Sequence, residues 1–124
     1  MYADINYYNE NYGSITDEKE VTKALKNASR HIDILTYNRI VGNGGVSSLT
    51  PFQQEVVKEV CCQLADFETE NTDIIESILS QYSINGTSMK FSTAGNMKIA
   101  NGVVMPNSLY SYLLTTGLCN RNIR

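Results

Sequence analysis

Tryptophan is absent from this chain, and histidine occurs only once. General acid–base catalysis normally needs a base, an acid that orients it and a nearby nucleophile. The one histidine, His31, has Asp33 close in sequence but on a different face of the predicted helix. We therefore expect His31 to be a helix-surface residue. The sequence predicts no catalytic residue, and an enzyme is the weakest of the functions considered below.

Charged residues are also few, at 19% of the chain, and the net charge is -3. Proteins that coat nucleic acid need clustered Lys and Arg to bind phosphates, so that role is disfavoured. No apolar run is long enough to span a bilayer, and the first residues lack the basic and apolar regions of a signal peptide. We therefore expect no membrane partner and synthesis in the cytoplasm.

Cysteine is limited to Cys61, Cys62 and Cys119. Adjacent cysteines on a helix point to different sides, whereas a zinc site uses ligands spaced as in C-x-x-C. We expect all three to be small buried hydrophobic residues. The glycine-rich loop at residues 41–48 follows no predicted strand and lacks the Gly-Lys-Ser/Thr ending of a phosphate-binding loop. The sequence therefore predicts no metal and no cofactor.

What the chain does contain is helical periodicity. Thr50, Pro51 and Gln53 form a helix-start signature of N-cap, first-turn proline and capping-box glutamine. Apolar residues then recur in steps of four, four, four and three from Phe52 through Phe67, which predicts a central helix surrounded by other elements. The predicted fold class is a mainly α, small antiparallel helical bundle with one β-hairpin and an extended C-terminal tail. The expected helices cover residues 4–12, 17–36, 51–70 and 106–116, with a further short helix at 74–79.

The first two helices carry surface features of their own. Tyrosines crowd the first helix, where they can form core or a contact surface for a partner. The second helix carries Lys19, Lys23, Lys26 and Arg30. Such a basic face is usually solvated, but in an oligomer it can meet an acidic neighbour.

A hairpin is predicted at residues 80–92, because apolar residues alternate around Asn85-Gly86, a strong two-residue turn signal. An isolated hairpin is marginally stable in water, so it should lean on the helices or on a neighbouring subunit. Residues 92–101 are predicted to be a loop. The candidate inter-subunit residues of the hairpin are Tyr82, Ile84, Asn85, Gly86, Met89 and Phe91.

The last helix should stop at Gly117, which leaves residues 117–124 as a tail. Exposed apolar residues beside arginines are typical of an interface. Leu118, Arg121, Ile123 and Arg124 are therefore candidate docking residues.

The order and spacing of several segments resemble the small head–tail connector, or adaptor, proteins of long-tailed bacteriophages and prophages. The similarity covers nearly the whole chain, although no single motif is chemically diagnostic. The segments that carry it are Tyr7-Tyr8 to Tyr12-Gly13, residues 28–33, 36–40, 49–53, 64–66 and 81–86, and Thr116-Gly117-Leu118 through Arg121.

The resemblance implies a non-enzymatic structural protein of the virion neck, between capsid and tail. It implies docking of the C-terminal segment on the portal protein, contact with a downstream neck protein, and DNA that passes through the lumen without specific binding. A ring of about twelve copies would multiply weak contacts through avidity. The alternative is a small cytoplasmic helical binding module or regulator that dimerises through its tyrosine-rich start.

Overall fold

The computed structural model describes residues 2–42, 44–85, 97–100 and 102–119. The fold is mainly α-helical with one small antiparallel sheet, which confirms the predicted fold class. The helices are α1 (Ile5–Asn11), α2 (Glu18–Leu35), α3 (Arg39–Gly42), α4 (Pro51–Glu70), α5 (Thr72–Asn85) and α6 (Asn107–Leu114). A short 3-10 turn, Val46–Ser48, precedes α4, and strands β1 (Met97–Ala100) and β2 (Val103–Pro106) precede α6.

Local sequence signals explain where α1, α2 and α4 begin. The Asp4 side chain accepts a hydrogen bond from the N–H of Tyr7, and Asp17 caps α2 through the N–H of Lys19. At the start of α4, Thr50 and Gln53 form the predicted reciprocal capping box, with Pro51 in the first turn. These bonds satisfy N–H groups that a helix end cannot pair internally.

Helix α4 is the centre of the core, as its apolar stripe predicts. Its inward residues, including Val56, Val60 and Leu64, are fully buried. Helix α2 packs along one side of α4, and α6 packs along another. The first residue of the stripe departs from this pattern, because Phe52 is 56% exposed.

The predicted hairpin at residues 80–92 is wrong in its position. Helix α5 runs without interruption through Tyr82, Ile84 and Asn85, whereas Gly86, Met89 and Phe91 lie outside the described residues. The apolar spacing that starts at Ile74 continues helically, and helix propagation adds one hydrogen bond for each residue fixed.

The hairpin lies instead at β1 and β2, where residues 92–101 were expected to form a loop. Its register pairs Met97 with Pro106 and Ala100 with Val103, so only two residues connect the strands. Those two are Asn101 and Gly102, a second Asn-Gly sequence, and Gly102 has φ +83. Strand β2 of this hairpin is largely buried and packs in the helical core. The core thus supplies the support that an isolated hairpin lacks.

Candidate interaction surfaces

The C-terminal end of α2 is closed by an unusual turn. Tyr37 and Asn38 adopt left-handed backbone conformations, with φ 55 and 58. Such conformations cost non-glycine residues roughly 1–2 kcal/mol each, so neighbouring contacts must hold them. The N–H of Asn38 donates to the carbonyl of Asp33, and that of Tyr37 donates to the carbonyl of Ile34. The turn fixes the direction in which α3, and therefore Arg39, leaves α2.

Arg39 joins this turn to the last part of the chain. Its guanidinium lies 5.3 Å from the centre of the Tyr37 ring, and its Nη1 donates to the carbonyl of Leu118 at 3.0 Å. Burial raises the pKa of the neighbouring Cys119 thiol to about 11, while the Arg39 charge acts in the opposite direction. We call Tyr37, Arg39, Leu118 and Cys119 the tail-exit corner, because residues 120–124 follow directly from it.

Large apolar side chains are exposed around the tail-exit corner. Ile34 is 40% exposed, Tyr37 41% and Val41 59%. Single exposed apolar residues are common on soluble proteins, but several in one short segment, here residues 34–41, mark a contact surface. This end of the molecule is therefore a candidate docking surface.

The predicted role of Leu118 needs correction. Its side chain is buried in the core of its own chain, and so is that of Cys119. Leu118 cannot fill a pocket on a partner while it occupies this position, and the buried part of the chain extends to Cys119 rather than ending at Gly117. Arg121, Ile123 and Arg124 lie outside the described residues, so their docking role stays a prediction.

The tyrosines of α1 belong mainly to the core. Tyr8 is fully buried, and its hydroxyl donates to Asp66 at 2.5 Å while it accepts from the N–H of Ile15 at 2.8 Å. The Tyr12 ring stacks on Tyr8 with 6.1 Å between centroids. This arrangement confirms the core role for Tyr8 and leaves the flanking tyrosines half-buried at the surface.

Those flanking tyrosines meet the acidic side of α4. The hydroxyl of Tyr112 donates to the carboxylate of Glu59. Burial raises the pKa of the Tyr7 phenol, and the nearby charges of Glu55 and Glu59 raise it further. Lys58 Nζ lies 5.1 Å from the centre of the Tyr7 ring. We call Tyr7, Glu55, Glu59 and Tyr112 the acidic tyrosine face.

Buried phenols and thiols should make the fold sensitive to alkali. Burial raises the pKa of Tyr8 from 10.0 to about 12, with a further contribution from Asp66, and burial raises the pKa of Cys62 from 9.0 to about 12. Each group is neutral while it is protonated, and burial favours the neutral form. Its contribution to stability is therefore complete at pH values below its pKa in the unfolded state. It is lost as the pH rises toward the folded-state values.

We therefore expect the free energy of unfolding, measured with urea, to fall steadily between pH 9.0 and about pH 12. The Tyr8→Phe variant has one of these groups fewer and should show a shallower decline. A free energy that stays constant across this interval in the wild type would contradict the burial of these groups.

His31 takes part in a structural contact. Its Nδ1 lies 2.5 Å from Oε2 of Glu68, which ties α2 to the end of α4. Glu68 also lines a shallow groove between these helices, together with Glu20, Lys23, Asn27 and Thr72. His31 is thus a partly exposed helix residue, as predicted, and its carboxylate partner comes from another helix that sequence spacing could not identify.

The cysteines are buried, as the sequence predicts. Cys61 Sγ lies 3.4 Å from Ser29 Oγ and 3.7 Å from the carbonyl of Leu25, so it packs between α2 and α4. Within the described ranges, no group of three or more His, Cys, Asp or Glu side chains is arranged to hold a metal ion. None of the helices described is both long enough and apolar enough to cross a membrane.

No protein-family model, curated protein sequence or solved structure matches the chain.

Proposed function

We propose that this chain is a structural protein of a phage or prophage neck. Copies of it would form a ring beneath the portal protein, connect the capsid to the tail, and continue the channel through which DNA passes. The portal, further copies of the chain and a downstream neck protein would be its partners. In this role the chain positions other proteins and performs no catalysis.

One observation carries the proposal: segments of the resemblance that are far apart in sequence meet in the fold. Tyr8, from the first of these segments, bonds to Asp66, from the segment that ends the buried stripe of α4. Arg39 bonds to the carbonyl of Leu118, which belongs to the last segment. These contacts bring segments of the resemblance together in one fold, and this packing supports the proposal.

The surfaces support an assembly role as well. Ile34, Tyr37 and Val41 are exposed in the segment that contains Arg39, whose guanidinium binds the carbonyl of Leu118. Interfaces commonly combine apolar anchors with arginine, and residues 120–124 provide Ile123 between two arginines. The tail-exit corner would therefore face the portal, with Arg121, Ile123 and Arg124 reaching its surface. The net charge of -3 suits a channel wall that does not grip DNA.

Removal of residues 120–124 tests this proposal, because it spares the buried Leu118 and Cys119. We expect the shortened chain to melt like the wild type but to fail to co-purify with the portal protein encoded in the same genome. Virions made with it should package DNA and lack tails. Substitution of Arg121, Ile123 and Arg124 by alanine should give the same loss at full length.

A matched control is Ile74→Ala, which removes an exposed apolar side chain from α5, away from the tail-exit corner. That variant should join the portal normally. Normal portal occupancy by the chain without residues 120–124 would place the docking surface elsewhere.

The second candidate function is a small helical regulator that dimerises through its tyrosine-rich start. The half-buried positions of Tyr7 and Tyr12 favour it, because part of each ring is available to a partner. Sizing of the purified chain separates the two functions. A closed dimer that ignores the portal supports the regulator, whereas a ring formed alone or on the portal supports the neck protein.

A further inference from the structure

The outward side of α2 is uniformly basic along much of its length. Lys19, Lys23, Lys26 and Arg30 follow one another in steps of four, three and four, and all are exposed. At 1.5 Å per residue and 3.6 residues per turn, they form one stripe about 16 Å long. None of them forms an ion pair with another residue in the part of the chain that the structure describes. We call these residues the basic stripe.

The basic stripe stands out because the chain as a whole is acidic. Ten Lys and Arg oppose thirteen Asp and Glu in the sequence, and the stripe takes four of the basic residues. The rest of the chain is therefore strongly acidic, because it has six basic residues against thirteen acidic ones. The chain is therefore electrostatically polarised, with one cationic side.

The acidic tyrosine face lies on the opposite side of the bundle. Helix α4 contacts α2 through Cys61, whose thiol reaches the carbonyl of Leu25. Glu59 is two positions earlier on α4, which places it about 200° around the helix from Cys61. Glu55 is one turn before Glu59 and shares its direction. The basic stripe is on the side of α2 opposite its buried residues Val21, Leu25 and Ile32. Lys23 borders the groove beside Glu68, whereas Lys26 and Arg30 do not line it, so the two charged surfaces point in largely opposite directions.

The geometry points to head-to-tail association, in which the basic stripe of one copy binds the acidic tyrosine face of the next. Two complementary surfaces on opposite sides of one chain give a heterologous contact, which closes into a ring when the rotation between copies permits. Tyr7 and Tyr112 would supply half-buried aromatic surface at the centre of this contact, and the charges would set its orientation. This inference rests on the proposed ring and identifies the faces that join its subunits.

A polyanion such as DNA fits the basic stripe less well. Glu18 and Glu20 flank Lys19 at the start of α2, and both are exposed. Their carboxylates would repel phosphates at the same end of the stripe, and the overall charge of -3 adds no attraction at long range. A second copy of the chain offers the opposite charge at Glu55 and Glu59.

A charge-swap experiment tests the pairing. The first variant carries Lys23→Glu, Lys26→Glu and Arg30→Glu, which makes both surfaces acidic. The second carries Glu55→Lys and Glu59→Lys, which makes both surfaces basic. Each variant alone should lose self-association by on the order of a hundredfold, because exposed charge pairs contribute up to about 1 kcal/mol each and a tenfold change in affinity corresponds to about 1.4 kcal/mol.

An equal mixture of the two variants should restore assembly, because each acidic surface then meets a basic one at every contact. The measurement is sedimentation velocity, with and without the portal protein, and circular dichroism checks that each variant is folded. If the double lysine variant unfolds through loss of the Tyr112 contact, Glu55→Lys alone is the substitute, since Glu55 is exposed.

The matched control for the second variant is Asp73→Lys with Glu76→Lys, which makes the same charge change at exposed positions of α5. Because this control keeps both charged surfaces of the wild type, it should assemble by itself as the wild type does, whereas the second variant should not. The inference is overturned if the first variant assembles like the wild type, if the mixture of folded variants stays unassembled, or if the control alone loses self-association as much as the second variant does.

Loss of DNA binding in the first variant, with self-association intact, would instead identify the basic stripe as a polyanion surface. Failure of the proposed ring is recognised from the wild-type chain alone. If that chain remains monomeric with and without the portal, both proposals are contradicted. If the wild-type chain forms rings and the charge-reversed variants form them equally well, only this interface is contradicted.

Discussion

Replacing Leu64 with alanine is expected to lower the free energy of unfolding by roughly 2–5 kcal/mol, with a fall in Tm on the order of 10 °C. Leu64 is fully buried at the centre of α4, so the change removes apolar contacts and leaves a cavity that the surrounding helices can only partly fill. Thermal melts and urea titrations followed by circular dichroism would measure both quantities.

Leu114→Ala is the matched control, because it deletes the same atoms from a side chain that is 44% exposed on α6. Its effect should be well under half that of Leu64→Ala. Equal melting temperatures for Leu64→Ala and the wild type would show that the stripe on α4 is not the core.

A chain that ends at Gly117 should be destabilised by roughly 2–4 kcal/mol relative to one that ends at Cys119. The longer chain keeps the buried side chains of Leu118 and Cys119 and the bond from Arg39 Nη1 to the Leu118 carbonyl at 3.0 Å. The shorter chain loses all three and leaves the Arg39 guanidinium without this acceptor.

Comparison of the two shortened chains separates folding from docking. The one that ends at Cys119 should melt like the full-length protein and fail only in binding to the portal. If the chain that ends at Gly117 is equally stable, the burial of Leu118 adds nothing to the fold, and the predicted start of the tail at Gly117 is correct.

The structure also changes how the candidate hairpin surface is understood. Tyr82, Ile84 and Asn85 lie within α5, so they cannot present a β-hairpin to a neighbouring subunit. The hairpin that does form places Val103, Val104 and Met105 in buried positions. The second strand of this hairpin therefore serves the packing of the chain itself.

Local signals in the sequence were sufficient for much of the helical framework. Thr50, Pro51 and Gln53 predicted the start of α4, and the spacing from Val56 to Leu64 predicted its buried side, because capping and periodicity act within one or two turns. The hairpin was misplaced because two Asn-Gly pairs occur, and the choice between them depends on what the adjacent strands can pack against. Val103, Val104 and Met105 beside Asn101-Gly102 were the signal for the correct one.

By itself, the sequence determined the mainly α fold class, the central helix and the buried state of the cysteines, since each depends on residue type and short-range spacing. Only the tertiary structure decided which distant groups meet. It paired Tyr8 with Asp66, His31 with Glu68, and Arg39 with the carbonyl of Leu118, over separations of 58, 37 and 79 positions. It also placed the basic stripe opposite the acidic tyrosine face. Such contacts depend on how helices are oriented around a shared core, and the periodicity of a single helix carries no information about that orientation.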